Sequence, residues 1–202
     1  MRCEIVGAGD FVCFQENHQQ GAFLIAADGG YTHLNNIGIK PDLIIGDFDS
    51  VGEIPKSDHL VSLPKEKDDT DMLSAVEEGI KRGYKEIHLF GGTGGRLDHT
   101  FANIQVLVSL AEKKCQGFLY EKNMVLTVIK NSKFVIPARQ KGIVSVFSIT
   151  DIAKGVHVHG LKYELNNALL RNFYPIGVSN EFRGQDVEIS VLDGSLLIMI
   201  EV

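Results

Sequence analysis

Residues 86–99 read EIHLFGGTGGRLDH, and this stretch decides the fold class. The apolar run Ile87–Phe90 predicts a buried strand, and the glycines from Gly91 to Gly95 predict a tight loop. A helix is expected to begin near Asp98, because apolar residues then recur at helical spacing: Phe101, Ile104, Leu107, Val108 and Ala111. A strand, a glycine loop and a helix in this order are typical of α/β proteins.

The same alternation extends on both sides of this stretch. A second helix is predicted where Met72, Leu73, Val76 and Ile80 share one face, with Asp68 or Asp69 as its cap. Strands that are apolar throughout and alternate with helices predict a mostly parallel sheet covered on both faces. We therefore expect a Rossmann-like α/β domain over residues 1–122. Its other predicted strands are Cys3–Val6, Phe23–Ala27, Leu43–Ile45, Leu60–Leu63 and Phe118–Tyr120.

The pattern changes after residue 122, where short and often alternating runs follow one another without a helical segment. Asp193-Gly194, between the last two runs, is the strongest hairpin signal in the chain. These features predict a small all-β sandwich domain over residues 123–202. The runs are Val125–Ile129, Lys133–Ile136, Ile143–Ile149, Val156–His159, Val187–Leu192 and Leu196–Val202.

The composition argues against several classes of protein. The chain has 202 residues with 26 acidic and 20 basic side chains, which disfavours a general nucleic-acid binder. Its three separate cysteines fit a reducing compartment and no disulfide framework. The longest apolar run, Leu196–Ile200, is far shorter than the roughly 20 residues that cross a bilayer. We expect a cytoplasmic protein that binds neither nucleic acid nor membranes.

Acidic residues follow the predicted strands of the first domain. Asp28 follows one strand, Asp47 and Asp49 follow the next, and Asp71 opens a helix. The carboxyl ends of parallel strands converge on one edge, and residues i and i+2 of an extended chain point the same way. Neighbouring carboxylates favour a cation between them, and hard oxygen ligands suit Mg²⁺. The residues therefore predict a magnesium site, although Asp71 could instead complement a helix dipole and Asp49 could belong to a turn.

The glycine loop after Phe90 is the second candidate feature. Its backbone amides and the following helix N-terminus could cradle phosphate, with Arg96 as a bidentate partner. No Gly-Lys dipeptide of a Walker A loop occurs in the chain, and Gly7-Ala8-Gly9 does not complete a dinucleotide fingerprint because Val12 holds the last position. A plain tight turn is the alternative interpretation.

Five sequence blocks together resemble the thiamine pyrophosphokinase family. They occur in the family's order over most of the chain, and GDFDS and GGTGGRLDH are the specific ones. The blocks are Ala27–Gly30 (ADGG), Gly46–Ser50 (GDFDS), Lys67–Asp71 (KDDTD), Gly91–His99 (GGTGGRLDH) and Gly177–Glu181 (GVSNE).

The resemblance implies an α/β catalytic domain, a thiamine-binding β-sandwich and a homodimer with active sites between subunits. The implied reaction converts ATP and thiamine to AMP and thiamine diphosphate. The family's Mg²⁺-binding acids match Asp47, Asp49 and Asp71, and its thiamine-contacting loop matches Ser179 and Asn180. The positions that line ATP and the reacting hydroxyl match Asp28, Lys67, Thr93, Gly94, Arg96, Asp98 and His99.

Two roles stay open on the sequence alone. Either Asp28 or Asp98 could accept the proton of the thiamine hydroxyl. The chain has no Trp to stack on the thiamine ring, and Phe182 is our hypothesis for that role.

Two other functions are considered. Asp47-Phe48-Asp49-Ser50 could be the loop of a haloacid-dehalogenase-type phosphatase with Asp47 as nucleophile. That motif usually follows the first strand, and this interpretation leaves the glycine loop unexplained. Alternatively, the chain could bind Mg-nucleotide without turnover, as a sensing or dimerisation protein.

Overall fold

The computed structural model describes residues 1–46, 60–62 and 69–202, with only the backbone described for residues 60–62. The predicted site residues Asp47, Asp49 and Lys67 therefore lie outside the described residues. The chain forms two compact units. The first comprises Met1–Val106 and Gly117–Lys122, and the second comprises Leu107–Gln116 and Asn123–Val202.

A parallel sheet forms the centre of the first unit. Strand β1 (Arg2–Val6) pairs in parallel with β2 (Phe23–Ala27) on one side and with β5 (Glu86–Phe90) on the other. Beyond β2 lie β3 (Leu43–Gly46) and β4 (Leu60–Ser62), also parallel, and β6 (Gln116–Tyr120) lies beyond β5. The predicted α/β fold is confirmed.

The described part of the chain has four helices: α1 (Phe14–Asn17), α2 (Gly30–Asn36), α3 (Asp71–Lys81) and α4 (Leu97–Glu112). The sequence predicted α3 and α4 but missed α1 and α2, which are too short for a helical period to emerge. The predicted cap of α3 is wrong. Thr70 is the N-cap, and its Oγ1 accepts a hydrogen bond from the Leu73 amide at 3.2 Å.

One predicted core residue of α4 faces outward. Phe101 is 62% exposed, and Leu97, one turn earlier, is 82% exposed. The helical spacing of apolar residues therefore predicted a wider buried face for α4 than the structure has.

The strand order places a crevice between β1 and β5. Strands β2, β3 and β4 lie on one side of β1, and strands β5 and β6 lie on the other side. In open parallel sheets, ligands bind beyond the carboxyl ends of the strands where the order reverses. Two loops meet at this point: residues 7–10 after β1 and residues 91–96 after β5.

Titratable side chains are buried in the middle of the same two strands. Glu4 is fully buried, with Arg2 Nε at 2.8 Å from Oε1 and His18 Nδ1 at 2.5 Å from Oε2. His88 is also buried, and burial lowers the pKa of its imidazole. A neutral ring satisfies both its contacts when Nε2 donates to Glu86 at 2.9 Å and Nδ1 accepts from the Tyr120 hydroxyl at 3.0 Å. These contacts do not involve the loops that follow β1 and β5.

The second unit is a sandwich of antiparallel strands. One layer has the order β12-β9-β14-β7 and the other has the order β11-β10-β13-β8. Buried side chains of both layers, such as Val144 and Ile198 from one and Val158 and Ile189 from the other, form its core. The predicted sandwich is confirmed. The strands are β7 (Met124–Lys130), β8 (Lys133–Ile136), β9 (Ile143–Ser148), β10 (Ile152–His159), β11 (Leu165–Arg171), β12 (Asn180–Glu181), β13 (Val187–Ser190) and β14 (Ser195–Glu201).

The predicted hairpin at Asp193-Gly194 is wrong. Strand β13 pairs with β8 and β10, whereas β14 pairs with β7 and β9, so the connection passes from one layer to the other. The Gly194 amide donates to Asn131 Oδ1 at 2.8 Å, and the Asp193 carbonyl accepts from the Lys154 amide at 2.8 Å. Contacts with other segments therefore replace the hydrogen bonds of a two-residue hairpin.

Strand β11 was also missed by the sequence analysis. Asn166 and Asn167 are exposed, and Asn167 has a left-handed backbone with φ 53°. The register between β10 and β11 shifts twice. An irregular edge strand of this kind carries no period-two pattern.

Candidate active site

A cavity of about 370 Å³ lies in the first unit where the loops after β1 and β5 meet. It unites six of the residues that the sequence nominated: Asp28, Asp71, Thr93, Gly94, Arg96 and His99. The rest of its lining consists of Gly7, Ala8, Gly9, Ala27, Thr70, Met72, Gly91, Gly92, Gly95 and Asn103.

The two loops are joined by backbone hydrogen bonds. The Gly7 amide donates to the Phe90 carbonyl, the Gly9 amide to Gly91 and the Asp10 amide to Thr93, each at 2.8 Å. These contacts continue the β1–β5 pairing past the ends of both strands. They hold the glycine loop on the rigid centre of the sheet.

The glycine loop uses backbone conformations that favour glycine. Gly91, Gly94 and Gly95 have φ values of 61°, 78° and 59°. A Cβ atom on Gly94 would overlap the Asp10 carboxyl group. Glycine is therefore required at Gly94 both by its conformation and by the close approach of Asp10.

Thr93, in the middle of this loop, has a buried hydroxyl on the cavity wall. The residue is only 5% exposed, and its Oγ1 has no hydrogen-bond partner among the residues that the structure describes. An unsatisfied buried hydroxyl costs about 1–3 kcal/mol. A bound ligand with acceptor oxygens would remove this cost.

Two carboxylates lie on the cavity wall, one after a strand and one at the start of a helix. Asp28 directly follows β2 in a left-handed conformation, φ 45°, and its amide donates to the Ile45 carbonyl at 2.7 Å. A non-glycine residue with positive φ is uncommon and concentrates at functional sites. Asp71 is the first residue of α3. The expected gathering of these two acids at one edge is observed.

Asp28 and Asp71 are the candidate metal ligands on the cavity wall. Two carboxylates in one cavity suit a hard cation such as Mg²⁺. No cluster of three or more possible ligands occurs within residues 1–46 and 69–202. Asp47 and Asp49, the other two members of the predicted set, lie outside the described residues.

Arg96 and Asp98 form a bidentate pair beside the cavity. Arg96 Nε lies 3.1 Å from Asp98 Oδ1, and Nη2 lies 2.5 Å from Oδ2. The hydrogen bond from Arg96 lowers the pKa of the Asp98 carboxyl and raises that of the guanidinium. Asp98 is absent from the cavity wall, and a carboxylate with a lowered pKa is a weaker base.

Ser179 and Asn180 belong to the second unit. The Ser179 amide donates to Ser145 Oγ at 3.0 Å. The Asn180 side chain makes two hydrogen bonds with the backbone of Tyr163. Its Nδ2 donates to the Tyr163 carbonyl at 2.6 Å, and its Oδ1 accepts from the Tyr163 amide at 2.9 Å. The Asn180 amide thus holds two chain segments together.

The hypothesis that Phe182 stacks on a ligand is not supported. Phe182 is 6% exposed in the sandwich core, and the Arg139 guanidinium carbon lies 5.5 Å from its ring centroid. A ring buried to this degree offers almost no surface for a ligand to stack on.

Several cavity residues were missed by sequence reasoning. Gly7, Ala8 and Gly9 were set aside as an incomplete fingerprint, although their position after the first strand was a usable signal. Asn103 lies one turn after His99 on α4, and this i, i+4 spacing could have placed it on the same face.

Two family models match the chain. One described as "Thiamin pyrophosphokinase, catalytic domain" matches residues 14–119. One described as "Thiamin pyrophosphokinase, vitamin B1 binding domain" matches residues 132–196.

Individual relatives are similar over most of the chain. The thiamine pyrophosphokinase of Bacillus subtilis (strain 168) is 29% identical over 183 residues, covering 87% of this chain and 85% of the relative. Thiamin pyrophosphokinase 1 of Caenorhabditis elegans is 27% identical over 175 residues, covering 80% of this chain and 70% of the relative.

Solved structures agree in fold. The crystal structure of the B. subtilis thiamine pyrophosphokinase has a TM-score of 0.91 at 25% identity and covers 100% of this chain and 99% of that chain. The crystal structure of the thiamin pyrophosphokinase from Geobacillus thermodenitrificans has a TM-score of 0.86 at 27% identity. It covers 100% of this chain and 98% of that chain.

Proposed function

The chain belongs to the thiamine pyrophosphokinase family, and from this premise we propose that it transfers a diphosphoryl group from ATP to thiamine. The products are thiamine diphosphate and AMP. The observation that carries the proposal is the single cavity that joins a glycine cradle and Arg96 to the carboxylates Asp28 and Asp71. This combination suits a polyphosphate and an attacking hydroxyl.

The two units have different proposed roles. The α/β unit binds the polyphosphate of ATP, because the cradle, Arg96, Thr93 and His99 all lie on its cavity wall. The sandwich binds thiamine, and the match of residues 132–196 to a vitamin B1 binding model supports this assignment. Within the sandwich we retain Ser179 as a proposed thiamine contact, while Asn180 shapes the loop around it.

The proposed reaction forms one bond and breaks another. The thiamine hydroxyl oxygen bonds to the β-phosphorus, the bond from that phosphorus to the bridging α–β oxygen breaks, and AMP leaves with that oxygen. Catalysis of phosphoryl transfer depends mainly on positioning and on stabilising charge on the phosphoryl oxygens. Cradle amides, Arg96 and the neighbouring His99 supply donors for those oxygens, as does Lys67 by its match to the family pattern.

We assign the hydroxyl proton to Asp28 rather than to Asp98. Asp28 lies on the cavity wall, whereas Asp98 is paired with Arg96 and has a lowered carboxyl pKa. The proposed role of Asp98 is to hold the guanidinium plane of Arg96 toward the phosphates.

Magnesium is the proposed metal, held by Asp71 together with Asp47 and Asp49. Asp71 shares its cavity with Asp28, and Asp47 and Asp49 follow β3 in the chain, the strand next to β2. When bound, Mg²⁺ would neutralise phosphate charge and orient the polyphosphate.

The test is an assay for AMP made from ATP. We expect AMP and thiamine diphosphate in equal amounts, only when thiamine and Mg²⁺ are both present. Inorganic phosphate release with a trapped phosphoaspartate at Asp47 would instead favour the phosphatase hypothesis. Binding of ATP without any AMP would favour the non-catalytic one.

A homodimer is also part of the proposal. Exposed apolar side chains are concentrated in one short segment of the sandwich, which includes Phe173 (73% exposed), Tyr174, Ile176 and Val178. Large exposed apolar patches mark interaction sites, and we propose that this segment contributes to one. Leu97 and Phe101, exposed on the helix that follows the cradle, offer a second surface close to the active site.

Disrupting this segment should dissociate the dimer. The double variant Phe173→Glu/Ile176→Glu is expected to halve the mass measured by light scattering, because two charges cannot be buried unpaired at an interface. Leu192→Glu is the matched control, since Leu192 is as exposed but lies outside the segment. A wild-type monomer, or a dimer unaffected by the double variant, would contradict the assignment.

We further propose a cytoplasmic location. The three cysteines are free thiols, as a reducing compartment maintains them. None of the helices in the described part of the chain has the length and apolar character needed to cross a bilayer.

A further inference from the structure

Four consecutive carbonyl groups, from the last residue of β5 to the middle of the glycine loop, accept hydrogen bonds. Backbone amides of residues 7–10 hold those of Phe90, Gly91 and Thr93. The fourth, that of Gly92, accepts from the side-chain amide of Asn103, with Nδ2 at 2.7 Å. Three of the four donors are main-chain groups, and the fourth is a side chain.

These bonds determine where the amides of the loop point. In a trans peptide the C=O and the following N–H are directed oppositely, so holding a carbonyl against the protein turns the next amide away from it. The amides of Gly92, Thr93 and Gly94 make no backbone hydrogen bond to any described residue. Successive amides that are free in this way form an anion-binding concavity.

Asn103 is fitted to this position. It lies on α4, is 6% exposed and contributes to the cavity wall. A Cβ atom on Gly92 would lie 2.7 Å from Leu119 Cδ1, closer than real contacts allow, and 3.2 Å from Asn103 Nδ2, which is a tight contact. The absence of a side chain at Gly92 therefore leaves the space in which the asparagine amide reaches the carbonyl.

We propose that Asn103 is a positioning residue for the polyphosphate. By holding the Gly92 carbonyl, its amide keeps the Gly92–Thr93 peptide in the orientation that presents the Thr93 N–H to a phosphate oxygen. This inference rests on the proposed function, since it concerns the same cavity and its anionic substrate. Its effect reaches the substrate through the loop backbone.

The test compares two variants that remove the donor in different ways. Asn103→Leu keeps the approximate volume without charge, and Asn103→Asp keeps the shape but replaces the donor by a carboxylate. The probe is inorganic tripolyphosphate with Mg²⁺, measured by calorimetry. Both variants are expected to bind it about tenfold more weakly, equal to one lost charge-assisted hydrogen bond of about 1.4 kcal/mol. The KM for ATP should rise by a similar factor.

Separate readouts distinguish positioning from structural damage. In Asn103→Asp, which preserves the side-chain shape, the affinity for thiamine should stay within twofold of the wild-type value. Unfolding of this variant should remain cooperative. Gln105→Leu is the matched control, because Gln105 is an exposed amide on the same helix. Its tripolyphosphate affinity should equal that of the wild type.

Three outcomes would overturn the inference. They are no binding of tripolyphosphate by the wild type, wild-type affinity in Asn103→Leu, and an equal loss of tripolyphosphate and thiamine binding in both variants. A wild type that binds tripolyphosphate but makes no AMP would refute the proposed function alone. The effect of Asn103 on tripolyphosphate binding could still be measured in that case.

Discussion

Asp71→Asn is expected to lower the turnover of thiamine about 10³-fold while the protein keeps its fold. Asp71 lies on the cavity wall at the first residue of α3, where the proposed Mg²⁺ and the phosphates meet. Asparagine has nearly the same shape and keeps a neutral oxygen ligand, but it removes the negative charge that attracts the cation. The loss should appear in kcat and in a higher Mg²⁺ requirement, both measured by AMP formation.

The fold should change little in this variant. An acidic residue in the first turn of a helix contributes about 0.3–1 kcal/mol through the helix dipole. Thr70, the N-cap of α3, is untouched. Asp69→Asn is the matched control, since Asp69 is an exposed carboxylate two residues earlier that is absent from the cavity wall. Activity in Asp71→Asn within a few-fold of that control would refute the proposed metal role.

Gly94→Ala is expected to lower kcat/KM for ATP by about 10²-fold, because displacement of a binding loop by about 1 Å has effects of this size. Gly94 has φ 78°, a conformation that costs an alanine roughly 1–2 kcal/mol. The new methyl group would also overlap the Asp10 carboxyl group. Steady-state kinetics over a range of ATP concentrations measures the effect.

Gly95→Ala separates the two causes. Gly95 has φ 59°, so alanine meets a similar backbone strain, but a Cβ atom there contacts nothing within 4 Å. We expect a loss of about tenfold, the rate equivalent of the strain alone. The Asp10→Ala/Gly94→Ala double variant should recover part of the activity of Gly94→Ala. Equal losses in Gly94→Ala and Gly95→Ala would show that the contact with Asp10 has no part in the effect.

Much of the first unit was predictable because its signals are local. The predicted strands Phe23–Ala27 and Ile87–Phe90 are largely apolar runs followed by turn residues, and α3 and α4 show helical periodicity. The convergence of Asp28 and Asp71 followed from the parallel sheet alone, since strand order places their chain segments at one edge. Short helices and irregular edge strands such as β11 give no such periodic signal.

Local signals failed where the partner of a residue lies far away in the chain. Asp193-Gly194 has hairpin composition, but the strands on either side of it pair in different layers. Phe101 fits the helical period, but the neighbouring elements leave it exposed. Phe182 was our hypothesis for an aromatic ligand contact, but it is buried in the sandwich core beside Arg139.

The sequence by itself determined the fold class, the family and the cluster of acids and glycines at one sheet edge, because periodicity and short motifs are properties of neighbouring residues. Only the tertiary structure decided how these groups are held: Asp98 paired with Arg96, residues 7–10 bound to the glycine loop, and Asn103 on the Gly92 carbonyl. The physical reason is that each of these contacts depends on the distance and direction between groups on separate segments. Those distances exist only once the strands and helices have packed.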